Sequence, residues 1–164
     1  MATEEFTTEV TEILALLRAR GESLSIAESL TGGLLGGVIT AVAGSSDVFL
    51  GGVVAYNARI KSELLDIPAQ LIADHGVVSR EVAVAMASAV ARLLGSDWAI
   101  ATTGVAGPGA SAGVPAGTVW IAIAGPDSAI PPDGQLLTLA GGRQEVRMAT
   151  IARALEAFTR ILRG

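Results

Sequence analysis

The sequence predicts an α/β or α+β domain whose sheet is covered by helices on both faces. Short apolar segments alternate along the chain with segments whose apolar residues recur at helical spacing. Glycines and prolines stand between the two kinds of segment. Interleaved strands and helices are typical of a covered sheet. Because the 164 residues contain no linker and no repeat, we predict one domain, residues 1–164.

The first elements run from a helix to a glycine-containing strand. Apolar side chains at helical spacing predict a helix that Gly21 ends. A strand at Leu24–Ile26 and a helix at Leu34–Val42 follow. The segment Val48–Tyr56 is predicted to be a buried strand. Its Gly51-Gly52 pair indicates a bulge or a close backbone approach.

Four helices and three strands complete the predicted chain. Asn57 caps a short helix, Pro68 opens another that closes near His75, and Ser79 caps a longer one ended by Gly95. The remaining strands are predicted at Trp98–Thr103, Thr118–Ala124 and Gln135–Leu139. Gly/Pro-rich loops at Gly104–Gly117 and Gly125–Gly134 separate them, and the final helix is Arg143–Leu162. Trp98 and Trp120 could stack on a base, but their alternating strand positions favour packing in the core.

Composition excludes several classes of protein. Hydrophobic residues make up 51% of the chain, yet no apolar run reaches the roughly 18 residues that span a bilayer. A net charge of −5 argues against nucleic-acid binding. The absence of Cys and the single His argue against disulfides and a zinc site. The acidic, polar N-terminus excludes an ordinary secretory signal, so we expect a cytoplasmic protein with no membrane partner.

The turn Ala27-Glu28-Ser29-Leu30-Thr31-Gly32-Gly33 joins a strand to a helix and has two interpretations. Ser29 or Thr31 could simply cap the helix, with the glycines allowing tight packing. Alternatively, a hydroxyl at the mouth of the sheet lies beside backbone amides that bind an anion or stabilise negative charge.

A second candidate is the loop Thr103-Gly104-Val105-Ala106-Gly107-Pro108-Gly109, which directly follows a strand. Ligands of α/β sheets lie beyond the carboxyl ends of strands, and small residues let a ligand approach the backbone. A surface crossover is the alternative. The loop lacks the Gly-Lys-Ser/Thr ending of a P-loop, so the sequence does not support ATP hydrolysis of that type.

Three basic residues stand out. Arg143 and Arg147 lie one turn apart at the start of the last helix, where the macrodipole disfavours cations. A substrate phosphate would offset this unfavourable interaction of the two cations with the macrodipole, and so would pairing with Glu145 or another carboxylate. Lys61 is either an exposed helix lysine or a partly buried base that activates a serine. His75 is predicted only to end a helix, because no Cys or second His is near it in sequence.

Seven sequence blocks, in order, resemble the CinA C-terminal domain family along nearly the whole chain. They are Ala27–Gly33, Gly44-Ser45-Ser46, Gly52-Val53-Val54-Ala55-Tyr56 with Lys61, His75-Gly76-Val77-Val78-Ser79, Thr103–Pro108, Gly117-Thr118-Val119-Trp120, and Gly142-Arg143 with Arg147. The resemblance implies a compact domain of the α/β class. We therefore predict three α/β/α layers with a mixed sheet covered by helices on both faces. The chain is expected to be the stand-alone form of the domain.

The enzymatic members of this family are nicotinamide-nucleotide amidohydrolases (NMN deamidases). The resemblance therefore implies hydrolysis of the carboxamide of nicotinamide mononucleotide, giving nicotinic acid mononucleotide and ammonia, with no metal or organic cofactor. The partner would be this small mononucleotide. A second hypothesis is a nucleotide- or partner-binding module that has lost hydrolysis, related to the competence and DNA-damage naming of the family. A nucleotide pyrophosphatase lacks support because the chain has no clustered carboxylates for Mg²⁺.

Carried over residue by residue, the resemblance makes Ser29 the nucleophile, with Tyr56 orienting it or relaying a proton. Lys61 as the base is our mechanistic inference. Gly32 and Gly33 would form the oxyanion hole, and the Thr103–Gly107 loop would hold ribose or phosphate. The residues implied to bind substrate are Glu28, Thr31, Gly32, Gly33, Thr103, Gly104, Ala106, Gly107, Arg143 and Arg147.

The chain also departs from the family pattern. Leu30 stands where Cys is frequent, which argues against essential chemistry there. The loop after Pro108 is shorter than usual, and Val114 replaces a frequent Lys, which would weaken phosphate binding or shift substrate preference. Finally, the apolar composition and the Gly-rich strand favour a homo-oligomer.

Overall fold

The sheet is open, mixed and five-stranded. The computed structural model describes residues 4–126 and 132–164. The strands, paired in the order β2-β1-β3-β4-β5, are β1 (Leu24–Glu28), β2 (Phe49–Val54), β3 (Trp98–Gly104), β4 (Thr118–Ala124) and β5 (Asp133–Thr138). Strand β1 pairs in parallel with β2 and β3, while β4 runs antiparallel to β3 and β5. The predicted mixed sheet is confirmed.

Helices cover both faces of this sheet. They are α1 (Thr7–Arg20), α2 (Leu34–Thr40), α3 (Ala58–Glu63), α4 (Ala69–His75), α5 (Arg80–Leu94) and α6 (Arg143–Arg163). Helices α1, α2 and α6 bury their apolar faces on one side, and α5 with the α3–α4 region packs on the other. The predicted three-layer α/β/α architecture is therefore confirmed. In the part of the chain that the structure describes, no helix is both long and apolar enough to cross a membrane.

Several predicted element ends are confirmed by their caps. Gly21 ends α1 in the left-handed conformation, with φ of 67°. Asn57 accepts a hydrogen bond from the Arg59 amide at 2.9 Å, and Ser79 accepts one from the Val82 amide at 3.2 Å. Side-chain oxygens thus satisfy amides that a helix start leaves open.

Other boundaries differ from the prediction. Strand β1 extends to Glu28 because its last residues remain paired with β2 and β3. Strand β2 ends at Val54, which leaves Tyr56 outside the sheet. The prediction that this strand is buried is wrong: β2 lies at the edge of the sheet, and its residues alternate between partly buried and exposed. Strand β5 begins at Asp133, inside the predicted Gly125–Gly134 loop, of which residues 127–131 lie outside the described residues.

Trp98 lies in the core, as its alternation in the strand predicted. Its ring meets Phe158 of α6 edge-on, with centroids 5.5 Å apart and planes at 64°. The indole N–H donates to Glu22 Oε2 at 2.6 Å, so the polar atom of this buried ring has a partner.

Both the bulge and the close backbone approach predicted from the Gly51-Gly52 pair are present. Leu24 pairs with Phe49 but Ser25 pairs with Gly51, so the register of β2 shifts by one residue. A Cβ at Gly52 would lie 2.3 Å from Ile26 Cγ1 and 2.9 Å from Ile26 O. The close approach of β2 to β1 therefore requires glycine at this position.

Gly52→Ala is expected to lower the free energy of unfolding by about 1–3 kcal/mol, because the added Cβ would overlap Ile26 on β1. The matched control is Gly37→Ala in α2, where a Cβ meets nothing within 4 Å. That change should raise stability by about 0.5–1 kcal/mol, because glycine is a poor helix former. Urea unfolding measures both changes, and equal effects at the two positions would contradict the close approach.

Candidate active site

A serine–lysine pair lies at the carboxyl end of β1. Lys61 of α3 donates from Nζ to Ser29 Oγ at 2.9 Å and to the Ala55 carbonyl at 2.7 Å. The lysine is fully buried, with 0% of its surface exposed. The alternative of an exposed helix lysine is therefore wrong. A serine hydroxyl within hydrogen-bond reach of a buried amine is the geometry of an activated nucleophile.

Burial lowers the pKa of Lys61 from 10.5 to about 8. The cause is desolvation, because the charged ammonium loses water that the two neutral acceptors replace only in part. In a substantial fraction of the molecules, the Lys61 amine is consequently neutral slightly above pH 7. Only the neutral amine has the lone pair that can take a proton from Ser29 Oγ.

A cavity of about 650 Å³ opens beside Ser29. It lies beyond the carboxyl ends of β1 and β3, where α/β sheets bind ligands. Its lining comes from Ser29 and Leu30, residues 56–58, residues 75–78, residues 104–112 with Val114, and Arg143. A cavity of this size accommodates a small-molecule ligand.

Arg143 bridges two walls of the cavity. It donates to the Gly107 carbonyl at 2.7 Å and to the Tyr56 hydroxyl at 2.8 Å. Glu145, the expected partner, instead accepts a hydrogen bond from the Gly142 amide at 2.6 Å. Among the described residues, no carboxylate pairs with Arg143. Its charge is thus available to an anion in the cavity.

Tyr56 lies at the mouth of the cavity and is 59% exposed. Its hydroxyl oxygen accepts from Arg143, and no hydrogen bond joins it to Ser29 or Lys61 in the described structure. In this arrangement Tyr56 holds Arg143 in place. Its predicted role as a proton relay has no supporting contact here.

The buried carboxylate of Glu28 holds the turn that follows Ser29. Glu28 is buried, and its carboxylate accepts from the amides of Gly33 at 3.2 Å, Leu35 at 3.0 Å and Gly36 at 3.0 Å. A carboxylate here satisfies the open amides of α2 and complements its positive end. Neither Ser29 nor Thr31 caps this helix, so the simple capping interpretation is wrong.

The two glycine amides predicted to form an oxyanion hole are already engaged. The Gly32 amide donates to the Ser29 carbonyl at 3.0 Å, and the Gly33 amide donates to Glu28. The backbone therefore offers other donors. The amides of Leu30, Ala106 and Gly107 belong to residues that line the cavity, and none donates to a protein acceptor among residues 4–126 and 132–164.

Arg147 faces the turn rather than the cavity. It donates from Nε to the Leu30 carbonyl at 3.0 Å, from one terminal nitrogen to the Thr31 carbonyl at 2.9 Å, and from the other to Gln144 at 2.9 Å. The two arginines, one helical turn apart, thus have different surroundings.

The predicted site residues divide into two groups. Those that the structure brings together at the cavity are Ser29, Tyr56, Gly104, Ala106, Gly107 and Arg143, with Lys61 reached through Ser29. Those behind its walls are Glu28, Thr31, Gly32, Gly33, Thr103 and Arg147. Thr31 is hydrogen-bonded to Thr102 at 2.8 Å, and Thr103 donates to the Val77 carbonyl at 3.0 Å.

Sequence reasoning missed His75, which lines the cavity at the end of α4. Its Nδ1 lies 3.5 Å from Glu81 Oε2, an arrangement that leaves Nε2 for a ligand. The block His75-Gly76-Val77-Val78-Ser79 belongs to the family resemblance, but His75 was predicted only to end a helix, because the α4–α5 junction is not a strand end. The Thr103–Val77 hydrogen bond brings this junction to the cavity. Within the described ranges, no cluster of three or more His, Asp or Glu side chains is arranged to hold a metal ion.

The fold and the cavity together define an α/β/α domain with a buried serine–lysine pair at the carboxyl edge of its sheet. The chain belongs to the CinA family: the sequence model described as CinA C-terminal domain matches residues 7–162. A CinA-like protein of Parasynechococcus marenigrum is 46% identical over 151 residues, which is 92% of this chain and 36% of that protein. One of Geotalea uraniireducens is 45% identical over 147 residues, 89% of this chain and 34% of that protein.

Solved structures show the same fold. A CinA superfamily protein from Klebsiella pneumoniae superposes with a TM-score of 0.90 at 31% identity, covering 99% of this chain and 98% of that one. The competence/damage inducible protein CihA from Agrobacterium tumefaciens gives 0.89 at 33% identity, covering 100% and 97%. The chain spans about a third of the length of the curated relatives that it matches.

The lowered pKa of Lys61 predicts how stability depends on pH. Above about pH 8 the folded chain releases this proton, whereas the unfolded chain keeps it up to 10.5. Because the unfolded state then binds more protons, the contribution of Lys61 to stability rises between these two values. The rise should approach about 3 kcal/mol in wild type relative to Lys61→Met. Urea unfolding of both proteins from pH 7 to 10.5 measures it, and parallel curves would contradict the desolvated lysine.

Proposed function

We propose that this chain is a nicotinamide-nucleotide amidohydrolase. It would hydrolyse the carboxamide of nicotinamide mononucleotide to nicotinic acid mononucleotide and ammonia, with Ser29 as nucleophile and Lys61 as base. The observation that carries the proposal is the 2.9 Å contact of Lys61 Nζ with Ser29 Oγ beside a cavity lined by Arg143, with which no carboxylate of the described residues pairs. Family membership supports the same site.

The first half of the reaction forms an acyl-enzyme. Neutral Lys61 takes the proton from Ser29 Oγ as that oxygen attacks the carboxamide carbon. The carbonyl oxygen becomes an oxyanion, which backbone amides beside Ser29 would stabilise. The Lys61 ammonium then gives its proton to the amide nitrogen. The C–N bond breaks, ammonia leaves, and Lys61 is neutral again.

The second half releases the acid. Lys61 takes a proton from a water molecule that attacks the acyl carbon, and the ester bond to Ser29 Oγ breaks as the ammonium returns a proton to Oγ. This half releases the pyridine carboxylic acid, which loses its proton to solvent, and the ammonia has already left in the first half. Every proton transfer within the site goes through one nitrogen, which explains why a single buried amine suffices.

The phosphate of the substrate is assigned to Arg143. Tyr56 and Gly107 already orient its guanidinium, so little side-chain entropy is lost on binding. His75 also lines this cavity, and its imidazole could donate to the phosphate. Gly104, Ala106 and Gly107 carry little or no side chain, which lets the ribose approach the backbone.

Ser29→Ala and Lys61→Arg are each expected to abolish ammonia release from nicotinamide mononucleotide, because one lacks the nucleophile and the other stays protonated. In wild type, kcat/KM should rise with pH and level off above about 8, the pKa of Lys61 in the free enzyme. Ser46→Ala, at an exposed turn, is the control.

Undiminished turnover by Ser29→Ala would remove this serine from the mechanism. If wild type binds the mononucleotide and releases no ammonia, the chain is instead a binding module without hydrolysis.

Arg143→Met is expected to raise KM for nicotinamide mononucleotide about 10–100-fold, the effect of losing a charge-assisted hydrogen bond to phosphate. Turnover of nicotinamide riboside, which has no phosphate, should be unchanged. Arg153→Met, an exposed position on the same helix, is the matched control. An equal loss on both substrates would argue against phosphate binding by Arg143.

A further inference from the structure

The peptide groups that follow Ser29 are fixed by their carbonyl oxygens. The Ser29 carbonyl accepts from the Gly32 amide at 3.0 Å. The Leu30 carbonyl accepts from Arg147 Nε at 3.0 Å. The Thr31 carbonyl accepts from Arg147 at 2.9 Å and from the Leu34 amide at 3.0 Å. Three successive peptide planes are thus held, and Arg147 contacts two of them.

In a trans peptide the N–H points opposite to the C=O. The Leu30 N–H therefore points away from Gly32, and the Thr31 N–H points away from Arg147. Neither amide donates to a protein acceptor in the described ranges. Leu30 lines the cavity beside Ser29, whereas Thr31 is fully buried and does not. The Leu30 amide is consequently the free donor adjacent to the nucleophile.

We propose that Arg147 is a positioning residue for catalysis. By holding the Thr31 carbonyl, Arg147 orients the Thr31–Gly32 peptide, whose N–H donates to the Ser29 carbonyl. That bond in turn fixes the Ser29–Leu30 peptide and keeps the Leu30 N–H directed at the oxyanion that forms when Ser29 attacks. This inference rests on the proposed amidase function and adds to it the donor and the residue that orients the donor. It replaces the expectation that Arg147 binds the substrate phosphate.

The turn needs such a restraint because its next residues are flexible glycines. Gly32 and Gly33 have φ of 58° and 92°, values that glycine adopts freely, so the backbone does not hold Leu30 by itself. A guanidinium presents several N–H groups in a rigid fork and can hold both carbonyls at once. A lysine ammonium has no such fork, so it cannot reproduce this pair of contacts.

Arg147→Met tests the inference through the separate effects on kcat and KM. We expect kcat for nicotinamide mononucleotide to fall about 10²-fold, comparable to losing an oxyanion-hole donor, while KM stays unchanged. Arg147→Lys should be impaired in the same direction, and Arg153→Met should behave as wild type. Added guanidinium ion should restore part of the kcat of Arg147→Ala and should leave Arg153→Ala unaffected.

A second readout does not depend on the carboxamide substrate. A fluorophosphonate probe phosphonylates a nucleophilic serine, and its P=O oxygen takes the oxyanion position as fluoride leaves. Labelling of Ser29 should be slower in Arg147→Met than in wild type or Arg153→Met. Thermal unfolding of each variant verifies folding, and Arg147→Lys with guanidinium rescue carries the test if Arg147→Met does not fold.

The outcomes separate this inference from the proposed function. A raised KM with unchanged kcat would overturn it and return Arg147 to phosphate binding. Equal labelling rates in all variants, or no labelling of wild type, would also overturn it. Wild type that is labelled in an Arg147-dependent manner but releases no ammonia would support the positioning role and contradict the amidase alone.

Discussion

The buried amine of Lys61 is the interaction on which the site depends. Its two acceptors, the Ser29 hydroxyl and the Ala55 carbonyl, are both neutral, so the ammonium form is poorly compensated. The fold therefore makes deprotonation easier and brings the pKa to about 8. A carboxylate beside Nζ would have stabilised the charged form and removed the base. The neutral surroundings are thus a requirement of the proposed chemistry.

Parallel strand pairing holds this amine and its serine in register. The Ser29 amide donates to the Thr102 carbonyl at 3.0 Å, and the Ala55 amide donates to the Glu28 carbonyl at 2.8 Å. Both bonds continue the β1 ladders beyond the strand end, so the two acceptors of Lys61 belong to one rigid backbone unit. A one-residue slip of β2 would turn its side chains to the opposite face and displace Ala55.

Opposite charges hold the turn that carries Ser29. The Glu28 carboxylate takes amides at the start of α2, and the Arg147 guanidinium takes the carbonyls of Leu30 and Thr31. The acceptors of Arg147 are neutral, but they are scaffold groups: the two carbonyls of the turn and the Gln144 side chain. The partners of Arg143 among the described residues, a hydroxyl and a carbonyl, are neutral too, but Arg143, one turn earlier, lines the cavity. The helix thus places one cation in the scaffold and the other at the cavity.

The sequence by itself determined the layered fold, the serine turn, the glycine requirement in β2 and the association of Ser29 with Lys61. The alternation of strands and helices and the glycine pair follow from local patterns, whereas the three layers and the pairing of Ser29 with Lys61 were inferred from the family resemblance of the motif blocks. Only the tertiary structure decided which polar groups face the cavity. Glu28, Thr103 and Arg147 have the composition of binding residues, yet their hydrogen bonds lie within the scaffold. A hydrogen bond between Thr103 and Val77, which are 26 residues apart in sequence, brings the segment that contains His75 to the cavity. Sequence spacing reports which residues share an element, but the partners of a polar side chain depend on how separate elements pack.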